Sequence, residues 1–303
     1  MSSCAGGTRE ERDRPVSIDT VHISDALKAF ATADAVQAQE HIKPLHRHIA
    51  MRLVVEGGFF PEEITPHPPL RARKRAGSNS LESDPTAETK GELTVFGGMK
   101  TKQIDVVVAK ESIGPVVAVS VKGTLNAYRN LVNRMEEAIG DSTNVHVMYP
   151  GLVYGFLHVL RANREASGFG PRDCGLTADG KVSPLICRYL AALCEMTGRR
   201  FVRNDFTRYE AVALAMVEND PGAVGRVNSS FPEPRSPLRI ESFFPRLYET
   251  YDLRFPARAE HVARARRAAW DLNSPLFKEL AQGDEEALAQ KLGYRPRLAG
   301  HSP

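Results

Sequence analysis

Two neighbouring valine-rich segments constrain the fold more than any other part of the sequence. Residues 103–108 (QIDVVV) and 116–123 (VVAVSVKG) predict two short strands joined by a tight turn at 111–115. Each strand carries one charged residue, Asp105 and Lys122, where a buried strand is usually apolar. An unpaired buried charge is costly. The two charges therefore indicate either a functional site at the ends of adjacent strands or an exposed edge hairpin with an ion pair.

Strand alternation predicts that the polar side chains lie together. Side chains on a strand point to opposite faces with period two. Ser120 and Lys122 then share one face of the second strand, while the valines at 117, 119 and 121 share the other. Asp105, Ser120 and Lys122 can therefore face one cleft, while the opposite face of both strands is apolar.

Composition limits the classes of protein that fit. The 303 residues are 42% hydrophobic, enough to bury one large core or two modest ones. The net charge is only +3, so any nucleic-acid surface must come from local clustering. The four cysteines have no CxxC spacing, which favours reduced thiols over a zinc site. Without an apolar run of membrane length or a secretion signal, we expect a soluble cytoplasmic protein with no membrane association.

The pattern along the chain predicts one domain. A polar tail at 1–18 is expected to be disordered, and a single domain follows at 19–303, with its core at 43–160 and a mainly helical part at 161–303. Residues 71–91 predict a flexible loop whose basic N-terminal part either contacts phosphates or is simply solvated. Three antiparallel strands are expected at 92–96, 102–110 and 115–122.

Helical patterns surround these strands. Helices are predicted at 24–36, 43–56 and 124–140, then a strand at 145–148 and either a strand or a buried helix at 152–160. Further helices are predicted at 183–196, 208–218, 258–270 and 285–291. The fold class is therefore mixed α/β (α+β): a mixed central sheet flanked by helices, with a mainly helical C-terminal half.

Asp105 on one strand and Lys122 on the next, within this order of elements, resemble the PD-(D/E)xK nucleases, which share the type II restriction-endonuclease fold. The resemblance covers about residues 43–160. It implies a restriction-endonuclease-like core, a Mg²⁺ cofactor held by carboxylates, and a lysine that positions the attacking water. The triplet here is Ser120-Val121-Lys122, with serine in place of the usual acid. In this it resembles the SxK subgroup, whose missing acid comes from the following helix.

The subgroup implies further metal ligands. Glu136 lies fourteen residues beyond Lys122 and about 40° around the predicted helix from Val132, so it flanks the expected buried stripe. A solvated glutamate is the alternative. Glu56, at the end of the preceding helix, is the expected accessory ligand or else frays into solvent. Glu92 at the start of the first strand is a weaker candidate. Ser120 would be a hydrogen-bonding neighbour of the catalytic groups.

Candidate DNA contacts follow from the same resemblance and from local charge. The subgroup places an Arg-x-Asp-Arg cluster after the lysine, and only Arg129 matches it here, with Asn126 at the first position. Arginine suits guanine and asparagine suits adenine in the major groove, although Asn126 also fits an ordinary helix surface. Arg203 and Arg208 belong to a basic segment that is either a DNA patch or a solvated face.

The resemblance implies a magnesium-dependent type II restriction endonuclease that cuts double-stranded DNA. Cleavage of both strands of a palindrome favours a homodimer or tetramer. The cell would also need a cognate DNA methyltransferase. The alternatives are a structure-specific repair or recombination nuclease and a non-catalytic DNA-binding protein on the same fold.

Overall fold

A five-stranded mixed sheet with helices on both faces organises the described part of the chain. The structure is a computed structural model that describes residues 20–34, 39–75, 78–165, 170, 172–256 and 263–300. The tail predicted to be disordered at 1–18 lies outside these residues. Within them, no helix is both long enough and apolar enough to cross a bilayer. The predicted mixed α/β class is confirmed.

The helices are α1 (Ile23–Thr32), α2 (Lys43–Val55), α3 (Leu131–Met148), α4 (Pro184–Glu195), α5 (Ile240–Arg254), α6 (Pro275–Ala281) and α7 (Glu285–Leu292). The strands are β1 (Ile64–Thr65), β2 (Leu70–Arg75), β3 (Ser78–Ser83), β4 (Leu93–Val95), β5 (Lys102–Ile104), β6 (Val106–Lys110), β7 (Gly114–Thr124), β8 (Val153–Arg161) and β9 (Ala211–Val217).

The central sheet has the order β1-β6-β7-β8-β9. Its first three strands are antiparallel, and β8 and β9 run parallel to β7. Parallel neighbours need a crossover, which α3 provides between β7 and β8 and α4 provides between β8 and β9. The predicted turn between β6 and β7 is confirmed, and Ser112 and Gly114 adopt the positive φ angles of 67° and 88° that it requires.

Alternation along β6 and β7 separates two hydrophobic layers. Val106, Val108 and the valines at 117, 119 and 121 pack with α1, α2, α5, α6 and α7. Val107 and Ala118 face the other way, toward α3 and α4. Both faces of the sheet are therefore covered, and polar groups on the α3 side are buried unless they reach the end of the sheet.

Three predicted elements in the central region are wrong. The expected loop at 71–91 contains the hairpin β2–β3, whose alternation is masked by charges that pair on its surface, such as Arg71 with Asp84 and Arg73 with Glu82. The expected strand at 145–148 is the last turn of α3, which begins at Leu131 and continues through the exposed Gly140. The expected three-stranded meander is also divided, because β4 and β5 form a small sheet of their own.

The C-terminal half also differs from the prediction. The expected helix at 208–218 is β9, all of whose residues are buried. Helices cover both of its faces, so the period-two pattern is lost and the Ala/Leu/Met content favours a helix. Of the helix expected at 258–270, residues 258–262 lie outside the described ranges, and the rest contains a short 3-10 turn at Ala263–Ala265. The helices predicted at 183–196 and 285–291 are confirmed as α4 and α7.

Candidate functional site

A cavity of about 630 Å³ opens at the end of β7, between the β4–β5 hairpin and α3. Asp105, Ser120 and Lys122, which the sequence predicted to face one cleft, all line it. Glu92 and Arg134 also contribute to its wall. Of the two interpretations of the charged strand pair, the structure agrees with a polar site and not with an exposed edge hairpin.

Asp105 lies at a bend between β5 and β6. Its Oδ2 accepts a hydrogen bond of 2.7 Å from the backbone N–H of Val121 in β7. Burial raises the pKa of the Asp105 carboxyl, and the Val121 N–H and the Lys122 ammonium oppose that rise. The carboxylate is thus fixed in place, and the groups around it offset only part of the cost of burying its negative charge.

Glu92 is the second carboxylate at the site. Leu93 pairs with Ile104 in the β4–β5 hairpin, and continuing that register by one residue puts Glu92 opposite Asp105. Burial raises the pKa of Glu92, and so do the charge of Asp105 and a hydrogen bond between the two carboxyls. Two carboxylates with raised pKa values in contact form a pair that a cation or a shared proton stabilises.

Lys122 and Ser120 share one face of β7, as the alternation predicted. Lys122 is close enough for its charge to act on both Asp105 and Glu92. Ser120 is buried, and its Oγ lies 2.8 Å from the hydroxyl of Tyr154 in β8. The serine is therefore held by a structural partner, while the ammonium faces the acids.

His46 approaches the same carboxylates from α2. Its Nε2 lies 3.5 Å from Oδ1 of Asp105, is buried, and has no hydrogen-bond partner among the described residues. Burial lowers the pKa of His46 to about 4, so the imidazole is neutral at pH 7. A neutral, unpartnered ring nitrogen beside a carboxylate is a donor or acceptor available to that site.

The residues present fit a magnesium ion that keeps several of its waters. Within the described ranges, no group of three or more His, Cys, Asp and Glu side chains is arranged to hold a metal ion. Magnesium is usually bound by one or two carboxylates together with water and substrate phosphate oxygens. Asp105 and Glu92 supply two such carboxylates, and the polar atom left unpartnered on His46 lies beside them.

Positive charge surrounds the acids. Lys100, Lys102, Lys122 and Arg134 line the cavity. Lys102 Nζ lies 2.5 Å from Oδ2 of Asp141 on α3, which fixes the β5 side of the wall to that helix. With Lys102 paired to Asp141, the cationic side chains available to a polyanion at the cavity are Lys100, Lys122 and Arg134.

Glu136, the expected acid from the following helix, does not line the cavity and is exposed. The prediction measured its angle from Val132, but Val132 is 52% exposed and α3 buries the face of Leu131 and Ala138. Glu136 lies about 140° around the helix from Leu131 and therefore points away. Two other α3 acids reach the cavity wall through ion pairs, Asp141 with Lys102 and Glu137 with Arg134.

Glu56 also lies away from the cavity. It follows α2 and binds Arg52, with 2.6 Å between Nε and Oε2, and the hydroxyl of Tyr248 at 3.2 Å. His46, the α2 residue that reaches Asp105, lies ten residues earlier, about 15 Å along the helix axis. The site therefore meets the N-terminal half of α2, whereas Glu56 follows its C-terminal end.

The predicted DNA-contact residues lie outside the cavity. Asn126 is half-buried after β7, and Arg129 is exposed and 3.7 Å from Asp173. Arg203 and Arg208 are exposed, and Arg208 lies 3.9 Å from Glu195. None of these four contacts the carboxylate pair, and their DNA-binding role stays a prediction.

Sequence reasoning gave too little weight to Glu92 and His46. Glu92 was a weak candidate because the bend at Asp105, which aligns the two residues across a hairpin, has no clear signature in the sequence. His46 stands near His41 and His48, but the spacing of these histidines has no matching cysteine or acid that would indicate a zinc site, so the sequence does not single it out. Comparison of the chain with protein-family models, curated proteins and solved structures found no match.

Proposed function

We propose that the protein is a magnesium-dependent endonuclease for double-stranded DNA, a type II restriction enzyme with a PD-(D/E)xK-like core. The observation that carries the proposal is the Glu92–Asp105 pair beside Lys122 in a cationic cavity. The order of elements is compatible with such a core: α2, the antiparallel strands β1, β6 and β7, then α3 and the parallel strand β8. Asp105 precedes the second of these strands and the Ser-x-Lys triplet lies on the third.

In this proposal Asp105 and Glu92 hold the magnesium ion, and Glu92 takes the role first expected of Glu136. When bound, the ion would supply Lewis acidity at the scissile phosphate and a lowered pKa for water. Lys122 orients the attacking water and stabilises charge that develops on the phosphate oxygens. His46 lies beside Asp105 on the α2 side, and the contact of Ser120 with the Tyr154 hydroxyl joins β7 to β8 next to the site.

Lys100 and Arg134 would bind the backbone phosphates on either side of the scissile bond. Two active sites are needed to cut both strands of a palindrome, so we expect a homodimer or tetramer. We also expect a cognate DNA methyltransferase that protects the host DNA.

Incubation of the purified protein with plasmid DNA tests the proposal, with magnesium in one arm and EDTA in the other. Discrete fragments only with magnesium are expected, and run-off sequencing of their ends gives the recognition sequence. A ladder of products or a preference for branched substrates would instead indicate a repair nuclease. Binding without cleavage would indicate a non-catalytic DNA-binding protein.

Variants connect that activity to the site. Asp105→Asn and Glu92→Gln should each remove cleavage, and Lys122→Ala should slow it about a hundredfold or more. Glu136→Gln is the matched control because it changes an exposed acid on α3. Cleavage at the wild-type rate in Asp105→Asn or Lys122→Ala would place the active site elsewhere.

A further inference from the structure

The turn between β4 and β5 exposes two large apolar side chains. Phe96 is 67% exposed and Met99 is 86% exposed, the highest value among the large hydrophobic residues of the described chain. Such side chains contribute nothing to a core, and solvent exposure of both in one short turn requires a reason.

The turn is held firmly against α3. Oδ1 of Asn144 accepts hydrogen bonds from the backbone N–H groups of Met99 and Lys100, at 2.9 Å and 3.2 Å, and its Nδ2 donates to the Lys100 carbonyl at 2.8 Å. A Cβ at Gly97 would lie 2.1 Å from Nδ2 of Asn144, and one at Gly98 would lie 2.5 Å from Cγ1 of Val147. The backbone thus packs closely on the helix, and its apolar side chains are presented outward on a pre-organised support.

The same turn forms the rim of the cationic cavity. Lys100, Thr101 and Lys102 follow Met99 directly and line the cavity that holds Asp105 and Glu92. A partner that crosses this rim meets ammonium groups and apolar surface within a few residues. Duplex DNA matches both, because its phosphates are anionic while its sugars and partly unstacked bases are apolar.

We propose that the 96–100 turn is a fixed DNA-contacting element, in which Phe96 and Met99 pack against sugars and bases of a duplex bound across the cavity. The inference rests on the proposed function and assigns a part of the substrate surface outside the cavity. Lys100 binds the adjacent phosphate, so the turn combines one electrostatic contact with two apolar ones.

Binding by the full-length protein tests this inference. Fluorescence anisotropy with a labelled duplex containing the cleavage site is measured in the Asp105→Asn background, which prevents turnover. In that background Phe96→Ser with Met99→Ser should weaken binding about tenfold, which matches the loss of one aromatic contact to a base. Ile113→Ser is the matched control, because Ile113 is an exposed apolar residue at the far end of the β6–β7 hairpin.

Salt dependence separates the two kinds of contact. The Phe96/Met99 double variant should leave the slope of log K against log salt unchanged, while Lys100→Ala should reduce its magnitude by about one. The substituted side chains are exposed, so thermal unfolding should show that the variant folds normally. Affinity equal to that of the parent would overturn the inference, and so would a change only in oligomeric mass, which would assign the turn to a contact between copies. If the wild-type protein binds no duplex, the proposed function fails as well.

Discussion

Replacement of Glu92 by glutamine should remove most of the protein's thermal response to magnesium. The carboxylate pair is the core of the assignment, and Glu92 is the member that sequence reasoning ranked low. The glutamine amide keeps the shape of the glutamate side chain and can still form hydrogen bonds, but it carries no charge. The site is then left with Asp105 as its single carboxylate.

Linkage gives the expected size of the effect. A ligand that binds only the native state stabilises it by RT ln(1 + [L]/Kd). A Kd of about 1 mM for two carboxylates completed by water, at about 10 mM magnesium, gives about 1.4 kcal/mol. For a chain of this length the Tm should rise by about 2 °C in the wild type and by less than about 1 °C in Glu92→Gln. Without magnesium the variant should unfold at a higher temperature than the wild type, because a carboxyl whose pKa is raised by folding costs stability at pH 7.

Differential scanning fluorimetry at pH 7, with and without magnesium, measures both effects, and plasmid cleavage is followed in parallel. Glu136→Gln is the control and should keep the wild-type response. A magnesium response retained in Glu92→Gln and lost in Glu136→Gln would refute the assignment. It would mean that α3 turns its exposed acid into the site when metal binds.

Three further predictions follow from the buried charges. Asp105→Asn should raise the metal-free Tm at pH 7, with the gain over the wild type shrinking toward pH 4, because the raised pKa of Asp105 makes its protonated form the favourable one in the fold. Lys122→Ala should lower the cleavage rate about a hundredfold or more while duplex affinity falls by less than about tenfold, as single-turnover and binding assays would measure. Glu210→Gln should lower the free energy of unfolding in urea by about 3 kcal/mol, because its buried carboxylate pairs with Arg199 and Arg254. Burial alone would raise the pKa of Glu210, but His146 and the two guanidinium groups hold it below its usual value, so this stabilisation should be lost as the pH falls through that lowered pKa.

The strands and helices whose sequences show a clear hydrophobic period were predictable. The valine run of β7 has strong β propensity, and its period-two alternation shows which side chains share a face with Ser120 and Lys122. The helix α2 ends where Gly57-Gly58 follows it, with Gly58 at a φ of 71°. β9 was not predictable in the same way, because burial on both faces gives a continuous apolar run without a period.

The site was half predictable for a related reason. Asp105 and Lys122 are charged residues inside apolar strands, so they are visible in the sequence as exceptions. Glu92 begins a short strand among polar residues, and Glu136 lies in a helix with several other charges, so composition could not rank them. Whether Glu136 reaches the site depends on which face of α3 is buried. The prediction started that helix seven residues too early, at Thr124 in place of Leu131.

The bend at Asp105 explains why the second acid comes from a hairpin. The predicted continuous strand at 102–110 is interrupted there, so that β5 pairs with β4 while β6 pairs with β7. A residue at such a junction reaches both sheets, and Asp105 does so through the Val121 N–H on one side and Glu92 on the other. The β4–β5 hairpin is in turn tied to α3 by Asn144 and by the Lys102–Asp141 ion pair. The helix after the Ser-x-Lys strand therefore holds the hairpin that carries Glu92, and the proposed metal site does not require its exposed Glu136.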